Sequence, residues 1–266
     1  LFFTAKENKD TFKQIAQANS NVTYGEIQSL HGHDAFLIEF QQLEKLLDTV
    51  FNTNEKTGKP KVLKFGGKSL SNREGLEHVL ELICTTVSEG EHIVIVVSAR
   101  GNATDQLETI LENAAKCKDY RVDFEAFEKY QQHTYGNVDL SKEFKGLVKL
   151  VEGVSLLGDY SDKIKDEVLG YGELISGKLV TNLLIGKGIK AAFVDSRTFL
   201  TTDASFGDAK VLEKPSRENL VNIIAGLPRD TVPVITGFIG ATANGQTTTL
   251  GRNGSNYSAA LLANFL

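Results

Sequence analysis

The chain has 266 residues, enough for one large domain or two small ones at roughly 100–200 residues per domain. Hydrophobic residues make up 41% and charged residues 24%, as in globular proteins, and no apolar run reaches the ~18 residues of a membrane span, which excludes disordered, collagen-like and transmembrane classes. The net charge of −5 leaves no basic footprint for nucleic acid, and Cys84 and Cys117 are too few for a disulfide framework or a cysteine metal site, so a reducing, cytoplasmic setting without nucleic-acid or membrane partners is expected.

Methionine is absent, and the chain opens on Leu1-Phe2-Phe3 with neither an initiator nor the basic start of a signal peptide. A start in mid-protein is expected. Residues 1–50 hold an amphipathic stretch (Phe12, Ile15, Ala16), an alternating stretch (Val22, Tyr24, Ile27), the segment His31-Gly32-His33-Asp34, and a helical stretch through Leu46 and Leu47. About fifty such residues are marginal as an independent core. Residues 51–61, Phe51 to Lys61, are polar with Gly58 and Pro60 near the end and read as a linker.

From residue 62 to 266 buried strands alternate with amphipathic helices. Val62–Phe65 is a short strand; Ser71 and Glu74 form a capping-box signature before Leu76, Val79, Leu80 and Ile83 at helical spacing, with Gly90 as the stop. The run Ile93-Val94-Ile95-Val96-Val97 lacks alternation, as a strand covered on both faces does. A helix through Leu107, Ile110, Leu111 and Ala114 follows, then a mostly helical polar insert near 121–166 and a helix carrying Leu174, Ile175, Leu179, Val180 and Leu183. Strand Ala191–Val194, helix Leu220–Ala225 and strand Val232–Thr236 complete an α/β pattern with a mainly parallel sheet between helix layers. Ligands of such sheets bind beyond the strands' carboxyl ends, so the strand-to-helix loops are the places to seek chemistry.

The first of these loops is Lys64-Phe65-Gly66-Gly67-Lys68-Ser69. Two glycines let the backbone approach an anion, two lysines add charge, and the helix that follows offers its positive end. It is not a Walker A loop, because the required first glycine is Val62; an ordinary Gly-Gly turn between strand and helix also accounts for it. Residues Thr247 to Leu262 form a second Gly- and Ser-rich loop running into a helix, with a cation at Arg252. An arginine fork beside a helix start suits a carboxylate or phosphate, although a solvated loop arginine looks the same in sequence.

Five motifs in order now carry a resemblance: Lys64-Phe65-Gly66-Gly67-x-Ser69, Val97 to Asp105, Tyr171-Gly172-Glu173-Leu174-Ile175-Ser176, Phe193-Val194-Asp195-Ser196-Arg197, and Thr236 to Gly240 leading into Leu250-Gly251-Arg252-x-Gly254-Ser255. Residues 61–266 resemble aspartate kinases of the amino-acid kinase family. The resemblance implies a three-layer α/β sandwich, transfer of a phosphoryl group from ATP with Mg2+ to the side-chain carboxylate of L-aspartate, and a homo-oligomer in the full-length protein. By the family pattern Lys64 contacts the phosphoryl group, while Gly66, Gly67, Ser69, Gly251 and Ser255 serve the nucleotide side. Ser98, Thr104, Glu173, Arg252 and Asn256 belong to the substrate, Glu173 pairing with its ammonium and Arg252 with a carboxylate. Without the motif, Glu173 would read as a solvated carboxylate near a helix N-terminus. No metal held by protein side chains is expected.

Two departures stand out. Many family members carry Asp where this chain has Asn256, and the chain stops at Leu266 where the family continues into the segments around adenine. The second departure gives the expectation of an incomplete nucleotide site and an inactive isolated segment. A binding module that keeps the anion sites without turnover is therefore the rival reading. Another amino-acid kinase, for glutamate or acetylglutamate, is a third, against which Tyr171 to Ser176 argues.

His31 to Leu37 resembles the tail of homoserine O-acetyltransferases, which are α/β-hydrolases; there His33 matches the catalytic base and Asp34 the adjoining acid. No Gly-x-Ser-x-Gly elbow occurs in the chain, so His33 has no nucleophile to activate here, and acetyl transfer is expected only of a longer parent. Two histidines at this spacing could also start a metal pair, but no third ligand cluster follows.

Overall fold

The computed structural model describes residues 9, 11–13, 60–132, 138–228 and 230–266. The chain divides into two compact units, Leu1–Thr57 and Gly58–Leu266. In the first unit the described residues are helical; His33 and Asp34, with the rest of the acetyltransferase-like segment, lie outside the described residues.

The second unit is built on a parallel sheet of β1 (Lys61–Phe65), β2 (Ile93–Val97), β5 (Val232–Thr236) and β3 (Ala191–Val194), in that spatial order. Every residue of β2 is buried. Ile93, Ile95 and Val97 point to one face, against Leu76, Val79, Leu80 and Ile83 of α1 (Arg73–Ser88) and Leu179, Val180 and Leu184 of α5 (Asp162–Gly186). Val94 and Val96 point to the other, against Leu220 of α6 (Glu213–Gly226) and Leu261, Leu262 and Phe265 of α7 (Gly254–Phe265). Burial on both faces is what the unbroken β-branched run demands, and each such side chain contributes roughly 1.5–3 kcal/mol against an ordering cost of similar size.

A helical layer carries a third core, in which Leu107, Ile110 and Leu111 of α2 (Ala103–Ala115), Phe127 of α3 (Arg121–Gln132) and Phe144, Leu147 and Val151 of α4 (Ser141–Leu157) meet Val168, Leu169 and Ile175 of α5. Helix α5 thus runs from the helical layer onto the sheet, a span of roughly 37 Å at 1.5 Å per residue. A second, three-stranded sheet, β4 (Thr201–Thr202), β6 (Ile239–Thr242) and β7 (Thr247–Thr249), pairs β4 with β6 in parallel and β6 with β7 antiparallel. Sequence patterning reads Thr247–Thr249 as part of a loop; a three-residue strand is too short to show a period. The capping signature is also corrected: Asn72, not Ser71, caps α1 by accepting the Gly75 N–H at 2.8 Å, while the Ser71 hydroxyl donates to the Lys68 carbonyl.

Glycines normally weaken a helix, yet α5 carries several where it crosses the sheet. A Cβ at Gly172 would lie 2.8 Å from that of Ala99, and one at Gly177 would lie 2.7 Å from the Phe193 ring. Gly177→Ala therefore should destabilise the fold by about 1–3 kcal/mol despite alanine's better helix propensity, read as a lower denaturation midpoint at unchanged slope. An unchanged or higher midpoint would show that α5 has room to spare.

Candidate active site

Phe65, Val97 and Thr236 stand in register across β1, β2 and β5, so three loops leave the sheet at one level. After β1, Gly66 and Gly67 lead into a 3-10 turn, Gly67–Leu70. A Cβ at Gly67 would sit 2.5 Å from the Ala99 carbonyl and 2.8 Å from that of Gly101, and the Gly67 carbonyl accepts the Gly101 N–H at 2.9 Å. Here glycine serves close loop-to-loop approach. Arg100 locks the pair of loops: it is 2% exposed and donates to the carbonyls of Leu70 (2.8 Å), Tyr130 (2.7 Å) and Ser71 (3.1 Å), with its guanidinium 4.2 Å from the Tyr130 ring centre.

After β5, a Cβ at Gly237 would fall 2.7 Å from that of Ser255, whose hydroxyl receives a hydrogen bond from Ser98 at 2.9 Å. Phe238 has φ of +66°, a strained backbone for a bulky residue. Its N–H donates to Ser258 Oγ at 3.0 Å, and its ring packs where a Cβ on Gly254 would be 2.7 Å away. Gly254 opens α7, whose positive end faces the space between the loops.

That space is a cavity of about 390 Å3 lined by Gly67, Lys68, Ser98, Ala99, Gly101, Thr104, Glu173, Phe238 and residues 251–255. Of the residues singled out by sequence, Gly67, Ser98, Thr104, Glu173, Gly251, Arg252 and Ser255 line it. Lys64, Gly66, Ser69 and Asn256 do not. The Lys64 ammonium curls over Gly66, 3.3 Å from the position of an added Cβ, and burial holds its pKa below the ordinary lysine value. Asn256 is exposed on the first turn of α7. Arg252 is exposed at the rim and forms no ion pair among the described residues. No group of three or more His, Cys, Asp or Glu side chains suited to a metal occurs among the described residues.

Glu173 departs from the solvated helix-start carboxylate that its sequence setting suggests. It sits mid-helix in α5 at 2% exposure because Gly172 brings the helix against Ala99. Oε1 accepts the Ala99 N–H at 3.0 Å, while Oε2 is buried without a partner among the described residues. Burial raises its pKa to about 8, opposed in part by the Ala99 N–H.

Two further charges, buried Asp166 and half-buried Arg197, have no role legible in the sequence. Asp166, 1% exposed, accepts the N–H of Gly207 (2.9 Å) and both the N–H and the hydroxyl of Thr249 (2.8 Å each), fixing the strand end from which Gly251 and Arg252 depart. Arg197 grips both oxygens of Asp195 and donates to Thr247 Oγ1 at 3.0 Å, anchoring the start of the same strand. An acidic residue in a polar helical insert resembles a solvated face, which hides Asp166. Asp195-Ser196-Arg197 is visible in sequence as a motif without a role.

The architecture is that of an α/β protein with a cavity at the carboxyl edge of its parallel sheet, walled by glycine-rich loops and a helix start. The sequence profile of the Amino acid kinase family matches residues 59–266, and the chain belongs to that family. Among its relatives, Aspartokinase 1 of Bacillus subtilis is 33% identical over 204 residues, covering 76% of this chain and 40% of the relative. Lysine-sensitive aspartokinase 3 of Escherichia coli is 28% identical over 216 residues, 77% of this chain and 46% of the relative. The crystal structure of Escherichia coli aspartokinase III in complex with aspartate and ADP superposes with a TM-score of 0.69 at 28% identity, over 78% of this chain and 47% of that one. The chain thus spans less than half the length of these relatives.

The position of Glu173 has a pH signature. The unfolded carboxyl ionises near 4.5 whereas the folded one keeps its proton to about 8, so within that window the unfolded state binds fewer protons and stability falls as pH rises. Relative to Glu173→Gln, which does not titrate, the wild type should lose up to roughly 1.4 kcal/mol per pH unit across this window. Denaturant midpoints of both proteins from pH 5 to 9 check it; parallel curves would show that Glu173 is solvated.

Proposed function

We propose that this unit is the amino-terminal lobe of an aspartate kinase, moving the γ-phosphoryl group of ATP onto the side-chain carboxylate of L-aspartate. The observation that carries the proposal is one cavity holding a buried carboxylate with a free oxygen and, at its rim, a guanidinium with no ion pair among the described residues. An α-amino acid offers the complementary pair. Its ammonium meets Glu173 Oε2, its α-carboxylate meets Arg252 and the positive end of α7, and Ser98, Thr104 and Ser255 supply hydroxyl partners. Escherichia coli aspartokinase III, the structural relative described above, binds aspartate and ADP together, in keeping with this assignment.

An aspartate side chain with an ordinary pKa of about 3.9 is already a nucleophile at neutral pH, so no general base is required. Its oxygen attacks the γ-phosphorus as the bond to the β-phosphate oxygen breaks, giving aspartyl phosphate and ADP. The protein's part is to hold two anions in line and offset charge on the transferring group. Lys64 and Lys68, on either side of the Gly66-Gly67 turn, supply that charge, and Gly66, Gly67, Ser69, Gly251 and Ser255 shape the phosphate approach. Mg2+ enters with the nucleotide as part of the substrate and neutralises phosphate oxygens. Asn256 contributes hydrogen bonding where many family members contribute a carboxylate. For residues 1–50, His31 to Leu37 is the only support for an acetyltransferase-like tail with His33 as its base.

Given MgATP, L-aspartate and hydroxylamine, the full-length protein should accumulate aspartyl hydroxamate; with ATP consumed on glutamate or acetylglutamate instead, the substrate assignment fails. Lys64→Ala should lower kcat with little change in KM, whereas Arg252→Ala should raise the KM for aspartate about 10- to 100-fold, the worth of a charge-assisted hydrogen bond. The reverse ranking would exchange the two roles.

A further inference from the structure

Ser71 does not cap α1, and Tyr130 belongs to none of the motifs, yet the structure joins them. Tyr130 stands on the last turn of α3 in the helical layer, and its hydroxyl donates to the Ser71 carbonyl at 2.7 Å. The same carbonyl accepts Nη2 of Arg100 at 3.1 Å, so both of its lone pairs are engaged. Because the Arg100 guanidinium lies 4.2 Å from the Tyr130 ring centre, the two donors reach Ser71 as one packed unit. Gly101, at φ of +62°, makes this approach possible, since a Cβ there would collide with the Tyr130 hydroxyl.

Ser71 passes the constraint on to the cavity. Its N–H and its hydroxyl both donate to the Lys68 carbonyl, at 3.2 and 2.7 Å, and Lys68 is an exposed cation in the cavity wall. A continuous hydrogen-bonded path therefore runs from Tyr130 through Ser71 to Lys68. At the other end of the same turn the Gly67 carbonyl accepts the Gly101 N–H at 2.9 Å. A 3-10 turn of four residues, Gly67–Leu70, has too few internal hydrogen bonds of good geometry to be rigid alone, so its position is set by these two clamps. A lysine ammonium rides on a flexible four-carbon stem, and it is aimed only as well as the backbone that carries it.

We propose that Tyr130 is a positioning residue for Lys68, fixing through Ser71 the backbone from which the Lys68 ammonium meets the transferring phosphoryl group. This rests on the assignment of Lys68 to the charge on that group. The benefit falls on the transition state. An ammonium on a loosened turn still pairs with the phosphate oxygens of bound nucleotide, but it must be re-aimed as charge redistributes during transfer, and that reorganisation is what a fixed turn avoids. The helical insert thereby contributes to the chemistry without touching substrate.

Aspartyl hydroxamate formation by the full-length protein, measured over ranges of MgATP and L-aspartate, tests the proposal. Tyr130→Phe keeps the ring over Arg100 and deletes only the hydroxyl. It should lower kcat about three- to tenfold, the worth of one neutral hydrogen bond, with the KM for each substrate within twofold of wild type. In a Lys68→Ala background the same substitution should cost less than twofold, because the group it positions is gone. A purely structural role would instead exact the same loss in both backgrounds, and that result would overturn the proposal, as would an unchanged kcat in Tyr130→Phe. Lys68→Ala separates the two levels of inference: wild-type kcat and wild-type KM for MgATP in that variant would defeat the assignment of Lys68 itself, whereas a loss there alongside an unaffected Tyr130→Phe would defeat only the role of Tyr130.

Discussion

The site depends on how closely α5 approaches the ends of β2 and β5. Gly172 and Gly177 have no room for a methyl group, and this closeness lets Glu173 reach the Ala99 N–H at 3.0 Å from a helix that begins in another layer. Any residue with a Cβ at these positions would push the helix off the strand ends. The carboxylate would then meet water, and its affinity for a proton would return toward the ordinary range. Packing therefore sets the electrostatics: the same contact that closes the core between the layers also desolvates the acid.

The loops facing α5 obey the same constraint. In-register ends at Phe65, Val97 and Thr236 bring three turns to one height, and Gly67 and Gly237 let them touch one another and α7. Backbone strain collects at this junction, with Phe238 at φ +66° and Asn253 at +60°. Such conformations persist only where surrounding contacts outweigh their cost of about 1–3 kcal/mol each. Ser258, which accepts from the Phe238 N–H, and the collision-free surface of Gly254 supply those contacts.

Legibility in the sequence follows period and burial. Ile93–Val97 announces a strand covered on both sides because five consecutive β-branched residues have few other places to go, and the structure covers both sides. The helix of α5 is legible from Leu174, Ile175, Leu179 and Val180, but its 25-residue length is not, since Gly170, Gly172 and Gly177 look like interruptions until their neighbours are known. Glycine in a helix reads as weakness when the contact that requires it is distant in sequence. The second sheet is illegible for a related reason: β4, β6 and β7 have two to four residues each, and the pairing of β4 with β6 joins Thr201 to Ala241, far apart in the chain. Within the site, loop motifs locate the cavity, whereas the burial of Glu173 and the anchoring by Asp166 arise only from tertiary contact.

Two arginines show why motif and role are separate questions. Arg100 and Arg252 both stand in glycine-containing loops beside the same cavity, and only Arg252 is singled out in the sequence as a partner for an anion. Three backbone carbonyls and the Tyr130 ring absorb the Arg100 guanidinium at 2% exposure, so its charge is satisfied within the fold. Arg252 forms no ion pair among the described residues and stands exposed at the rim of a cavity whose wall also holds a buried acid. With no acidic partner for Arg252 among the described residues, the hydrogen-bonding geometry of its guanidinium makes a planar carboxylate a better partner for it than a point charge. A ligand that also presents an ammonium to Glu173 satisfies both groups at once. On the proposed assignment, this pairing of an arginine with a buried acid favours a ligand that carries both signs over one that carries either alone.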